Sequence, residues 1–318
     1  MNVSTNWLRF LLAPLFAAAL LGACGGGDGK KFPDRVVIEG NDPYPVFANS
    51  ELVQGQNRFA LGIIGSDGLP VVDANVHLAF YDLTDGKETK KFEMDAVSAV
   101  PARDAGIVET ENHVHGDGST HIHANAGQEF GIYTTVVNFD KAGTWGVEIK
   151  VEKGDFKTSF LPKFNVIERA GTPKVGDAAP KSRNLTAADV SDITQIDSSS
   201  KPSVEMHTAT IADTIATGKP ALVLFAVPGY CTSRLCGPEM EIMRKLLPKW
   251  GSKVEFIHIE FYKNPAAANK VLSDTAAEWG LRSEPWFFVI DKQGKISDRF
   301  EGPTTMVELE QAMQEVAN

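Results

Sequence analysis

Residues 220–240 read PALVLFAVPGYCTSRLCGPEM, and this stretch decides the C-terminal fold. An apolar run, PALVLFAV, has the length and β-branched content of a strand buried on both faces. PEMEIMRKLLPKW follows as an amphipathic helix with Pro238 in its first turn, where a missing N–H costs nothing. Between them sit Cys231 and Cys236, spaced C-x4-C. A strand, a cysteine loop and a helix bring helix N-terminal amides up to a sulfur, and such amides stabilise a thiolate. The thiolate is the attacking species in thiol–disulfide exchange, and a second cysteine nearby can resolve the mixed disulfide. A staple closing so short a loop removes little unfolded-state entropy, so a structural disulfide is the weaker reading.

Downstream, elements alternate in type. Residues 208–218, TATIADTIATG, predict a helix ended by Gly218. KVEFIHIEF predicts a strand. NPAAANKVLSDTAAEWG predicts a helix with Asn264 as N-cap, Pro265 at its first position and Gly280 past its end. WFFVID and KISDRFEG predict strands joined by DKQG. A last helix covers TTMVELEQAMQEVA, with Thr305 and Glu308 as a capping box.

In this order, with SEPWFFVIDKQGKISDRFEG, residues 206–318 resemble the thioredoxin-like superfamily in a C-x4-C variant. The resemblance implies a cis Glu284-Pro285 bond. It also implies that a bound disulfide substrate pairs with the backbone at Glu284, just before Pro285; Trp286 and Trp279 flank this loop, either lining a substrate groove or belonging to the core. Two alignments stay open. CGPE at Cys236 matches thioredoxin's C-G-P-C with Glu239 in place of the second cysteine. Alternatively PGYCTSRLCG resembles the Q-type peroxiredoxins, which makes Cys231 the attacking and Cys236 the resolving thiol. That family's Thr is replaced by Pro228, and Arg299 is a candidate for its arginine. The buried acid of thioredoxin corresponds to Leu224. His258 or Glu260, on one face of the next strand, can take its place as proton acceptor.

Residues 35–168 read as strands. RVVIEG, NRFALGII, VVDANVHLAFYDL, EFGIYTTVVNF, TWGVEIKVE and FKTSFLPKFNVI are separated by GSDGLP, TDGK and DKAG. The pattern predicts an all-β antiparallel sandwich, and DGLPVVDANV and FDKAGTWGVEI resemble bacterial extracellular immunoglobulin-like domains. Within it, NHVHGDGSTHIHAN at 112–125 holds four of the seven histidines. As a hairpin around GDGST it places His115 opposite His121 and His113 opposite His123. Opposed residues lie ~4.5–5.5 Å apart, near enough to share one copper or zinc ion. Residues 169–205, rich in Pro, Gly and Ser, read as a linker packed on the next domain.

The N-terminus carries NWLRFLLAPLFAAALLGAC. One arginine, a short apolar core broken by Pro14 and small residues at its end predict a secretory signal over 1–23. LGAC resembles a lipobox, with Cys24 the lipidated residue and 24–34 a flexible tether. These features predict a lipoprotein on the extracytoplasmic side of a bacterial membrane, where disulfides can cycle. The net charge of −10 excludes nucleic acid as the expected partner, because such binding needs basic patches. The expected function is thiol–disulfide exchange on extracytoplasmic proteins bearing thiols or disulfides, with no cofactor needed for the redox step. A Q-type thiol peroxidase and a copper or zinc carrier of the cell envelope are the alternatives. Copper-delivery proteins with a thioredoxin fold use C-x3-C and a histidine near the proline loop, and LRSEPWFFV has none.

Overall fold

The computed structural model describes residues 32–34, 38–107, 112–114, 120–122, 129–231 and 236–318. The expected signal, tether start and Cys24 lie outside the described residues, as do His115, His123, Arg234 and the first three residues of the expected strand RVVIEG. None of the described helices is long and apolar enough to cross a membrane.

The N-terminal half contains β1 (Tyr44–Phe47), β2 (Leu52–Val53), β3 (Gly55–Ile64), β4 (Asn75–Asp82), β5 (Thr89–Ala99), the short α1 (Pro101–Asp104), β6 (Asn112–Val114), β7 (Thr120–Ile122), β8 (Ile132–Phe139), β9 (Gly143–Lys153), β10 (Phe156–Phe160) and β11 (Lys163–Ile167). The main sheet runs β1-β3-β8-β5-β4-β9-β11-β2, with β10 on β9. It bends at β5, whose residues 89–96 pair with β4 while 97–99 pair with β8. Phe59 of β3 and Phe139 of β8 both touch Phe80 of β4 at ring-centroid distances of 5.1 and 5.9 Å. A flat sheet cannot bring those strands together, so the two arms face each other across one aromatic core completed by Trp145 and Phe164. All pairings are antiparallel except β2 with β11. Sequence reading missed β5.

The C-terminal half contains α2 (Ile211–Thr217), β12 (Ala221–Ala226), α3 (Cys236–Trp250), β13 (Glu255–Glu260), α4 (Asp274–Glu278), β14 (Trp286–Ile290), β15 (Ile296–Glu301) and α5 (Met306–Ala317). Its sheet has the order β13-β12-β14-β15, with β12 parallel to β13 and antiparallel to β14. This strand order, a helix opening on a cysteine and a cis Glu284-Pro285 bond are the features that the thioredoxin-like resemblance implies. Every residue of β12 and β14 is buried, as the unbroken apolar runs require. Gly218 ends α2 at φ 71°, and Thr305 and Glu308 form the capping box on α5.

The helix expected from Asn264 is much shorter. Only α4 forms, capped by Ser273. Residues 264–270 instead form an excursion closed by backbone pairing just after β13, where Lys263 N donates to Val271 O and Tyr262 bridges Leu272. Residues 169–205 are no loose tether. Segment 176–179 pairs with the outer edge of β15, through Gly176 N to Ile296 O and Ala179 N to Gly294 O. Residues 196–199 are buried at the other rim, against β13.

Residues from Lys31 to Asn318 form one compact unit. Arg58 of β3 clamps the start of α5: its guanidinium reaches the Glu308 carboxylate at 2.7 Å and the carbonyls of Glu301 and Pro303. Ser50 N donates to Glu301 Oε1, which also accepts from Ser283 Oγ, and Trp286 Nε1 donates to Ser283 Oγ. The sandwich thereby braces the back of the proline loop.

Candidate functional site: a cysteine pair beside a buried carboxyl

Cys236 is the first residue of α3 and is fully buried, while Cys231, at the end of β12's loop, is partly exposed. No disulfide joins them. Their sulfurs lie within 4.8 Å of each other and of a Glu284 carboxylate oxygen. Burial pushes the Cys236 thiol well above its ordinary range. Its hydrogen bond to Cys231 and the charge of Cys231 add to the rise, a backbone hydrogen bond from Val227 opposes it, and Glu284 raises it further. A thiol held in this way keeps its proton at neutral pH.

Glu284 sits where the cis bond turns the chain into β14. Burial pushes its carboxyl up to about 7, the Cys231 charge adds to this, and Lys270 opposes it. Lys270 is oriented by its own contacts: Nζ donates to Tyr230 O at 3.0 Å and lies 5.1 Å from the Tyr262 ring centroid. Burial raises the Tyr262 phenol, as do Glu284 and both sulfurs. Glu284 is thus brought to the cysteines by its side chain, whereas sequence reading gave it only a docking role. The available signal was an acid directly before the expected cis-proline.

Other expected residues are placed elsewhere. Trp286 is 1 % exposed, stacked on Phe288 with centroids 5.4 Å apart, and Trp279 is equally buried. A tryptophan so enclosed supports the loop from within, so of the two roles open to Trp286 and Trp279 the burial favours the core. Arg299 donates to Glu51, Thr172 and the Pro173 carbonyl. It belongs to the junction of the two halves and not to a peroxide site.

The two candidate proton acceptors on β13 are committed to a separate network. Glu260 accepts from Ser198 N at 2.8 Å and Ser198 Oγ at 3.0 Å, and burial pushes it up to about 8. Ser198 Oγ in turn accepts from Gly229 N, two residues before Cys231. His258 Nδ1 lies 3.2 Å from His207 Nε2, and burial pushes His258 down to about 3. Asp197, His207 and His258 approach as closely as metal ligands do. However, the two His207 nitrogens face the Ser203 and Ile196 carbonyls at 2.7 and 3.1 Å. Nδ1 can donate to Ser203 O, and Nε2 is shared between Ile196 O and His258 Nδ1. Glu239 is buried with Oε1 accepting from Thr304 N, and burial pushes its carboxyl up.

In the histidine hairpin the register is His113 opposite His121 and Val114 opposite Thr120. The expected pairing of 115 with 121 and 113 with 123 is therefore not the one formed: the partner of His121 is His113.

No family model matches the chain, and no curated protein matches it. Among solved structures the chain is similar to a candidate thiol:disulfide interchange protein DsbE from Chlorobium tepidum. The identity is 16%, over 46% of this chain and 100% of that one, with a TM-score of 0.34. It is also similar to a thioredoxin-family thiol:disulfide interchange protein from Chlorobium tepidum TLS. There the identity is 19%, over 34% of this chain and 85% of that one, with a TM-score of 0.27.

Proposed function

We propose that the protein is a thiol–disulfide oxidoreductase acting on extracytoplasmic proteins, held to a bacterial membrane by a lipid on Cys24. The observation that carries the redox reading is the meeting of the Cys231 and Cys236 sulfurs at the head of α3. Their unequal exposure supports the division of labour. Only the partly exposed Cys231 can be reached by a partner, and the buried Cys236 is held protonated until it is needed. In the reducing direction, the Cys231 thiolate attacks a client disulfide and forms a mixed disulfide, and one client sulfur leaves as a thiolate. Cys236 then attacks Cys231, an intramolecular disulfide forms, and the second client sulfur departs. The client gains two electrons and the pair loses them; a thiol protein of the same compartment restores the pair. Glu284 and Pro285 offer the loop on which a client docks. The N-terminal sandwich, with its immunoglobulin-like motifs, serves as the spacer.

The test uses the full chain and a protein disulfide substrate. Cys231→Ser is expected to abolish reduction and mixed-disulfide formation. Cys236→Ser is expected to abolish turnover while trapping the client on Cys231. Full activity in both variants would end the proposal.

Ion binding by the histidine hairpin is a further proposal. Calorimetry of the full chain against a variant with His113, His115, His121 and His123 all changed to Ala tests it, and equal, negligible heats would remove it.

A further inference from the structure

We propose that Glu284 is the proton acceptor for Cys236 when Cys236 resolves the mixed disulfide; this rests on the oxidoreductase reading. The resolving thiol must lose a proton in a place sealed from water. The position that carries a buried acid in the related fold holds Leu224, whose neighbours in β12 are all buried and apolar. Glu260 is taken by Ser198, and neither Glu239, which holds Thr304 through Oε1, nor His258, which faces His207, groups with the two sulfurs. Of the described acids, Glu284 is the one whose carboxylate oxygen lies within 4.8 Å of both sulfurs. Its geometry is set by the proline loop, which Gly302 N fixes through Pro285 O at 2.9 Å. A general base works best when its pKa lies near the working pH, and the half-buried position of Glu284 provides that.

The step balances. The Cys236 S–H bond breaks, its proton passes to the Glu284 carboxylate, and its electron pair forms the bond to Cys231 sulfur. The bond from Cys231 to the client sulfur breaks, and the client leaves as a thiolate. Glu284 then gives its proton to that thiolate or to water. The charged and titratable groups facing Glu284 are Cys231 and Cys236 from the cysteine loop and α3, Tyr262 after β13, and Lys270. Once Cys231 is in a mixed disulfide, its charge no longer raises Glu284. The carboxyl must then titrate below 7 but, being still buried, above an ordinary glutamate.

The full chain is loaded on Cys231 with 5-thio-2-nitrobenzoate, and release of the coloured thiolate by Cys236 is followed from pH 4.5 to 9. The wild-type rate is expected to rise through an inflection between pH 5 and 7. Glu284→Gln is expected to lower the rate at pH 7 by at least about tenfold, at the modest end of general-base effects, and to move the inflection to the alkaline range of a buried thiol. Glu284→Asp, which keeps a carboxyl, should retain the acidic inflection, which a merely structural role would not require. A Glu284→Gln profile superimposed on that of the wild type would overturn the assignment and leave the oxidoreductase reading standing. Failure of the wild type to release the probe takes down both. Should Glu284→Gln not fold, 13C-carboxyl titration of the wild type decides. A buried glutamate must titrate higher in the reduced than in the oxidised protein, and the absence of any such redox-linked carboxyl refutes the proposal.

Discussion

Two residues joined by a single serine, Glu260 and Gly229, tie the cysteine loop to β13 through Ser198. Both Glu260 oxygens accept hydrogen bonds, which favours the carboxylate, yet burial dominates and pushes the group up to about 8. A carboxyl whose folded pKa is raised above its unfolded value contributes stability that is complete below pH ~4.5 and is lost as pH rises toward 8. Glu260→Gln should therefore flatten the fall in unfolding free energy between pH 5 and 8, measured by urea titration; an unchanged slope would refute this. His258 acts in the opposite direction at lower pH. Its folded pKa is depressed to about 3, so its contribution is present above pH 6.5 and is lost on acidification toward 3. At this scale the sequence was partly legible. The cysteines and the cis-proline loop announced themselves by spacing and order. The side-chain partner of the cysteines did not, because proximity between residues 53 positions apart depends on how the loop turns into β14.

Individual elements repeat the lesson. Capping signals were read correctly at Gly218 and Thr305 because each is local chemistry. The 264–280 helix was overestimated because Asn-Pro-Ala-Ala-Ala suits a helix, whereas a backbone hydrogen bond between Lys263 and Val271 closes the segment on the chain leaving β13. β5 was overlooked because Lys90, Lys91, Glu93 and Asp95 hide the alternating Phe92, Met94 and Ala96. Period two was present; total hydrophobicity was low. Gly280 shows what an element boundary can demand. Its φ is +68°, and a Cβ there would lie 2.2 Å from the Gly171 carbonyl oxygen. Gly280→Ala should cost about 2 kcal/mol or more, from strain at positive φ together with that backbone clash. Chemical denaturation measures it, and a neutral outcome would show that α4 and residue 171 can separate freely.

Across the whole molecule, the sequence divided the chain into two domains and a linker, but the halves share a polar junction. Arg58 with Glu308, and Arg299 with Glu51, cross it with all four side chains at most about a quarter exposed. Such pairs are costly to break singly. Arg58→Ala is expected to destabilise the chain by about 2–4 kcal/mol, less than a fully sealed pair because Glu308 keeps its place on Thr305. Calorimetry of the wild type should show one cooperative transition over residues 31–318, and the Arg58→Ala/Arg299→Ala double variant should resolve into two. Two transitions in the wild type would mean that the junction does not couple the halves. The junction was not legible because its charged partners are some 250 residues apart in sequence, and single surface charges carry no address.

The strap formed by residues 169–205 has one more effect. A four-stranded sheet has two rims, and each bears backbone groups able to recruit a strand from another molecule. Here β15 is paired by 176–179 and β13 is overlain by 196–207. Molecules crowded side by side therefore find both rims of this sheet occupied, and Cys231 remains the reactive feature presented to neighbours.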